Sequence, residues 1–337
     1  MGKFVTFLGN HRVVFIVVAA VLVAAIVVVS CLSALIFSRY SQGVLPTDED
    51  LAQAYKYDHV VIFGVDGVGR FYKDATTPNF DRIFENGSVT YDGMSQYPTT
   101  SAHNWTSILH GVRYQKHKVN NEVAEKQTYD GKYPSIFSIL QERRPGETSI
   151  SAASWAPINH GIVEDLPSVI KLTGDTLAKN AGLDDPLEEA ADAMMTEELC
   201  ALLQDTDPLV TYIHLGQADE YGHYYGSNAR EYYDSMTVVD ALIGTMYDTF
   251  IAKGYTTDNT LFIFVTDHGQ QIHTGHGFNS PRERQVTVAF AGTSVKKGTP
   301  GKIVTHDIAA IVLYALGEKQ PDYFEGRVPH GIFTTLE

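Results

Sequence analysis

Cysteine is nearly absent from this sequence: Cys31 and Cys200 are the two found in 337 residues. Cys31 lies inside an apolar N-terminal run and Cys200 in an apolar helical stretch, ELCALL, so no cross-linked scaffold is indicated. Two thiols are also too few for a structural zinc site built on thiolates. Basic residues are sparse, 25 Lys and Arg against 40 Asp and Glu, for a formal charge of -15. A duplex nucleic-acid partner needs a basic face and is not expected on this ground. A phosphate-ester substrate is not, because bound divalent cations reverse the local sign inside a site. There is no internal repeat, and no low-complexity tract beyond the N-terminal run. Hydrophobic residues at 44% exclude wholesale disorder.

The N-terminal run, Val13 to Phe37, carries no charge over 25 residues. About 20 apolar residues span a bilayer core, so one transmembrane helix is expected. The stretch VVSC, Val28 to Cys31, also resembles a bacterial lipobox, but the apolar run continues past it to Phe37. An uncleaved anchor is therefore preferred over a lipoprotein, and either leaves the protein on a membrane. Lys3 and Arg12 precede the run and Arg39 follows it, so the positive-inside rule favours a cytoplasmic N-terminus. The expected organisation is a short cytoplasmic segment (1–12), a span (13–37), a juxtamembrane tether or opening helix (38–56) and a catalytic domain (57–337). The expected location is the cell membrane, single-pass, with the catalytic domain extracytoplasmic.

Beyond Tyr57, short apolar runs alternate with amphipathic stretches. HVVIFGV, TSISAAS, LVTYIHL, TLFIFVT and VTVAFAG read as strands. TPNFDRIFENG, SAHNWTSILHG, DDPLEEAADAMMTEELCALLQ and the stretch from Ser227 to about Ala252 read as helices. Apolar strands separated by helices imply an α/β fold with a mainly parallel central sheet covered on both faces. Ligands in such sheets sit beyond the carboxyl ends of the strands. Asp66 ends HVVIFGV, Asp219 follows LVTYIHL, and Asp267 and His268 end TLFIFVT.

Each of these residues admits a structural and a chemical reading. Asp66, followed by Gly67, is either a turn cap or a carboxylate that closely approaches a metal. Ser101, at the start of SAHNWTSILHG, is either an N-cap or a hydroxyl placed where helix amides favour an anion. As a nucleophile it would need a base or metal to activate it. Asp219 and His223, four apart, share a helix face, as a surface pair or around a cation. His214, inside an apolar strand, reads as a core histidine. Asp267, His268, His273 and His276 fall within ten residues of one another, a density that favours metal binding. Carboxylates and imidazoles suit zinc, and carboxylates also suit manganese or magnesium.

The ordered set resembles the alkaline phosphatase superfamily, and within it the type I phosphodiesterases and nucleotide pyrophosphatases. GVDGVGR looks like that branch's first metal-aspartate motif. YPTTSAHNWTSILHGVRYQKH is similar to its nucleophile segment, in which a hydroxyl lies three residues before Asn. That spacing selects Ser101, with Thr100 as the alternative, since most of the branch has Thr there. ADEYGHYYG matches D-x-x-G-H-x-x-G, TDHG the next metal pair, and TGHG the last histidine.

The resemblance covers roughly Val60 to Gly292. It implies an alkaline phosphatase-like fold with two divalent metal ions, most often zinc. One would be held by Asp66, Ser101, Asp267 and His268, the other by Asp219, His223 and His276. It further implies a phospho-serine intermediate and an Asn on a phosphoryl oxygen. Asn121 is the candidate for that Asn, although the ungapped position holds Glu122. A sulfatase is not implied, because Ser101 is followed by Ala-His-Asn rather than x-Pro-x-Arg.

The function expected is hydrolysis of a phosphodiester or nucleotide pyrophosphate, with a phosphate-ester small molecule or nucleotide as partner. The alternatives are a phosphotransferase acting on a lipid or envelope polymer, a phosphomonoesterase, and a non-catalytic surface binding module. An apolar groove near Ser101 would favour the transferase.

Overall fold

In the computed structural model the described residues are 14, 16–28, 43–183 and 188–336. The chain divides into two units, between Gln42 and Gly43. In the first unit, Val14 and residues 16–28 are helical, with exposed apolar side chains such as Ile16 and Ile26. Among the described residues no helix is long and apolar enough to cross a membrane. The other residues of the expected span (13, 15 and 29–37) lie outside the described residues, as do residues 1–12.

The second unit is built on a seven-stranded sheet. Its strands are β2 (His59–Val65), β3 (Ser88–Met94), β4 (Ser149–Ala153), β5 (Val169–Thr173), β6 (Val210–Leu215), β7 (Thr260–Thr266) and β8 (Gln285–Ala291). A separate two-stranded sheet pairs β1 (Gly43–Val44) with β9 (Val328–Pro329). The order across the large sheet is β3-β8-β7-β2-β6-β4-β5. The run from β7 to β5 is parallel throughout, and β8 is antiparallel to both β7 and β3.

Burial on both faces explains the near-continuous apolar strands. Along β2, Val60 and Ile62 point into one core while Val61, Phe63 and Val65 point into the other, the period-two alternation of a strand. The first core is closed by helices α2 (Ser101–His110) and α7 (Asp307–Ala315), through Trp105, Ile108, Leu109 and Ile311. The second is closed by α1 (Pro78–Phe84), α4 (Glu188–Asp205) and α6 (Arg230–Ala252), through Phe80, Leu199 and Met236. Phe264 on β7 is fully buried among Tyr72, Phe80 and Phe84. Removing such a ring costs about 3–5 kcal/mol.

Two further helices, α3 (Asn121–Lys126) and α5 (Gln217–Tyr225), flank the carboxyl edge described next. Of the stretch 38–56, Gly43 and Val44 join the small sheet and Asp48–Gln53 form a short helix opened by a capping box on Thr47.

Register sets the position of the site. Val65 pairs with Leu215 on one side and Thr266 on the other. Three adjacent strands therefore end level, and the residues that follow them emerge at one edge.

Candidate active site

The strand ends bring Asp66, Asp267 and His268 together, and separately Asp219, His223 and His276; within each group the ligand atoms all lie within 4.8 Å of one another. Gly67 makes the junction possible. Its φ is +71°, and a Cβ there would lie 2.2 Å from Asp219 Oδ1, so only glycine lets the β2 turn pass beneath α5.

Each carboxylate in the first group spends one oxygen on the protein and turns the other inward. Asp66 Oδ2 accepts from Trp105 Nε1 at 2.8 Å and from His214 Nε2 at 2.9 Å. Its Oδ1 faces His268 Nε2 at 3.3 Å. Asp267 Oδ1 accepts from the amides of Gly67 and His268. Its buried Oδ2 has no hydrogen-bond partner and lies 3.2 Å from His268 Nε2.

The His268 ring is oriented by Nδ1, 3.2 Å from the Gly269 carbonyl. That carbonyl can only accept, so Nδ1 carries the proton and Nε2 presents a lone pair. Burial, then His276, pushes the His268 pKa well down, so the ring stays neutral. Burial, then Asp66 and Asp219, pushes the Asp267 carboxyl well up. Asp66 Oδ1, Asp267 Oδ2 and His268 Nε2 thus converge on one point. This donor set fits a divalent cation.

The second group follows the same rule. His276 Nδ1 donates to the Thr99 carbonyl at 2.6 Å, leaving Nε2 to face His223 Nε2 at 3.0 Å. Asp219 Oδ2 lies 3.2 Å from His223 Nε2, and Asp219 Oδ1 accepts from Gln270 Nε2. The two groups meet where the rings of His268 and His276 stack, centroids 3.7 Å apart. His273 is exposed and belongs to neither group.

Ser101 and Thr100 are separated by the start of α2. Thr100 is the N-cap residue, in extended conformation, and Ser101 is the first helical residue. Thr100 Oγ1 is paired with His103 Nδ1. Ser101 Oγ points at the first group, 3.4 Å from Asp66 Oδ1 and 3.3 Å from His268 Nε2. The helix is not capped through either hydroxyl.

Asn121 accepts from the Ala102 amide at 3.0 Å through Oδ1, and it lines the cleft. Asn120 instead caps α3, and Glu122 is exposed and paired with Lys126. The cleft over Ser101 has a volume of about 470 Å³.

Sequence reasoning missed two partners of Asp66. His214 is buried in β6, as a core histidine would be, yet its Nε2 holds Asp66. Trp105 is also fully buried. Its signal was present, because it lies four residues after Ser101 and so on the same helix face. Gly64 lets it approach: a Cβ there would meet the indole at 2.8 Å.

Residues 60–276 match the family model of type I phosphodiesterase / nucleotide pyrophosphatase. The chain belongs to this family. Among curated relatives of this type I phosphodiesterase chain is GPI ethanolamine phosphate transferase 1 of Yarrowia lipolytica, 25% identical over 226 residues, covering 60% of this chain and 23% of the relative. The same-named protein of Aspergillus fumigatus is 29% identical over 163 residues, covering 41% and 16%. The matches thus span less than a quarter of these relatives' own length.

Among solved structures, murine ectonucleotide pyrophosphatase / phosphodiesterase 5, an inactive variant in complex with AMP, superposes with a TM-score of 0.61 at 14% identity, covering 79% of this chain and 96% of that one. The phosphonate monoester hydrolase of Agrobacterium radiobacter gives 0.60 at 13% identity, covering 80% and 76%. At these identities the likeness shows the alkaline phosphatase-like fold alone. The superfamily is typically metal-dependent, in keeping with the two ligand groups.

Proposed function

We propose that this chain transfers a phosphoester group from a donor diester to a hydroxyl acceptor on a lipid or envelope polymer, through a phospho-serine at Ser101. The observation that carries the chemistry is the placement of Ser101 Oγ against His268 Nε2 and Asp66 Oδ1 at a helix start. The names of the curated relatives favour transfer over hydrolysis.

In this reading Asp66, Ser101, Asp267 and His268 hold one divalent ion, and Asp219, His223 and His276 a second. Zinc suits both donor sets, and manganese or magnesium suits the carboxylates. Ions bound there would lower the hydroxyl pKa and neutralise phosphoryl charge. Ser101 Oγ bonds to phosphorus as the donor's ester bond breaks, and the departing oxygen takes up a proton. The acceptor hydroxyl then loses its proton, bonds to phosphorus and displaces Ser101 Oγ, which recovers its hydroxyl hydrogen. Asn121, fixed through its Oδ1, has its Nδ2 left to donate to a phosphoryl oxygen. The amino end of α2 favours the negative charge that develops.

Hydrolysis of a diester or nucleotide pyrophosphate is the second reading. Water can replace the acceptor at the same phospho-serine, and the AMP-bound murine protein shares the fold. The apolar run 13–37 serves in both readings as a membrane anchor that leaves the catalytic unit outside the cytoplasm.

The test supplies the purified full chain with a phosphodiester and a rising concentration of an alcohol acceptor. Phosphorus NMR follows the products, and mass spectrometry the adduct on Ser101. A transfer product that grows with acceptor supports the proposal. Hydrolysis product alone at saturating acceptor moves the assignment to the second reading, and no turnover of any diester overturns both.

A further inference from the structure

His117 ends the segment that carries Ser101, yet no step of the proposed chemistry uses it. It closes the one-turn helix Tyr114–His117, four residues before Asn121, and it is buried. A buried imidazole loses its hydration, and that loss is offset only where the ring atoms find partners.

The partners of His117 fix its tautomer. Ser107 Oγ, on α2, donates its hydrogen to the His103 carbonyl at 2.8 Å. It can therefore only accept from His117 Nε2, which lies 3.1 Å away. Nε2 thus carries the proton, and Nδ1 accepts from the Val119 amide at 3.0 Å. Burial, followed by His110 and His103, pushes the His117 pKa well down, so the ring stays neutral and Nδ1 keeps its lone pair. One uncharged ring bridges α2 and the turn at Lys118 and Val119.

That turn needs holding. Lys118 has φ +60°, a left-handed conformation that is costly for a residue with a side chain and persists only where its surroundings impose it. A cavity of about 260 Å³ is lined by His117, Val119 and Val123. Hydrogen bonds, rather than close packing on every side, therefore set the place of the ring. Two residues past Val119, Asn121 Oδ1 accepts from the Ala102 amide at 3.0 Å. Helix α2 thus grips this segment twice, at Ala102 beside Ser101 and at Ser107 through His117.

We infer that His117 is a positioning residue: it ties the Lys118–Val119 turn to α2 and so holds the Asn121 amide in register with Ser101 on the same helix. It touches neither substrate nor reacting atoms. The inference rests on the proposed function, in which Asn121 donates to a phosphoryl oxygen, and adds a second point of control over that donor.

The experiment is a double-mutant cycle on the metal-loaded full chain, with kcat/KM measured on bis-p-nitrophenyl phosphate. Asn121→Ala is expected to lower kcat/KM about a hundredfold, as removal of a donor to a transition-state oxygen does. His117→Ala should lower it about tenfold through misplacement of that donor. In the Asn121→Ala background the same His117→Ala change should have almost no further effect. His117→Asn, which keeps an acceptor for the Val119 amide, should lose less than His117→Ala and keeps the cycle readable if the alanine variant does not fold. A residue that only stabilised the fold would lower turnover by the same factor in both backgrounds. That result, or full activity in His117→Ala or in Asn121→Ala, overturns the inference and leaves the Ser101 chemistry standing. Absence of diester turnover in the wild-type chain overturns the proposed function and this inference with it.

Discussion

Trp105 Nε1 donates to Asp66 Oδ2 at 2.8 Å from within the core beneath the sheet. With His214 on the same oxygen, it fixes which face of the carboxylate the site receives. Trp105→Phe keeps most of the apolar ring and removes the donor. Loss of such an outer contact lowers metal affinity by about 10- to 100-fold. Metal titration of the variant by calorimetry checks this. Wild-type affinity would show that the indole only fills space.

Replacement of the hydroxyls separates Ser101 from its neighbour. Ser101→Ala is expected to lose about a thousandfold or more in kcat while still binding metal through the other ligands. Thr100→Val should cost far less, because Thr100 Oγ1 is committed to His103. Steady-state kinetics on a diester decide it, and the reverse ranking would transfer the nucleophile to Thr100.

The metal count follows from the two ligand groups. Two ions per chain are expected by elemental analysis in active protein, and one in His276→Ala, with activity severely reduced. His273→Ala should retain both ions. Chelation should lower the melting temperature, since the converging acceptors then lose their common partner. A single ion in fully active wild-type protein would refute the binuclear site.

His306 makes stability sensitive to acid. It is buried, its Nδ1 meets Gln96 Nε2 at 2.7 Å, and burial, followed by Arg113, depresses its pKa to about 3. A depressed pKa means that the unfolded chain binds the proton first. The contribution is therefore present above about 6.5 and is lost as pH falls from there towards about 3. The loss is about 1.4 kcal/mol per pH unit over that window. Denaturant unfolding of His306→Asn should show a shallower acid limb than wild type, and an unchanged slope would assign the acid limb to other groups.

Topology is open to direct measurement. With the catalytic unit outside, protease added to intact cells or spheroplasts should digest the chain from Ser38 onward. Protection until the membrane is permeabilised would reverse the orientation and place the substrate inside.

Local pattern alone made much of this protein legible. HVVIFGV, LVTYIHL and TLFIFVT are apolar over their whole lengths because they are buried on both faces, and their limits stand out against Asp66, Gly216 and Asp267. Ligands that directly follow a strand inherit its position, so Asp66, Asp267 and His268 could be placed at one edge from sequence order. His223 followed from its helical spacing to Asp219. The edge strands β3 and β5 were not read. SVTYDGM is interrupted by Asp92 and Gly93 and carries a register shift, and VIKLT is half-exposed along its length; neither has the unbroken apolar signal of a central strand.

Contacts between residues far apart in the chain were decided by the tertiary structure. Asp66 meets His214 across 148 positions and Trp105 across 39, and no periodicity encodes such a pairing. The same holds for Asn121 on the Ala102 amide and for Glu188 over Gly216. Sequence fixes what each side chain can donate or accept. Which oxygen of Asp66 is satisfied and which is left for the site depends on the register of β6 against β2 and on the packing of α2 beneath them. That register and packing are settled by burying both faces of the sheet at once, a collective term that no single segment of the sequence carries.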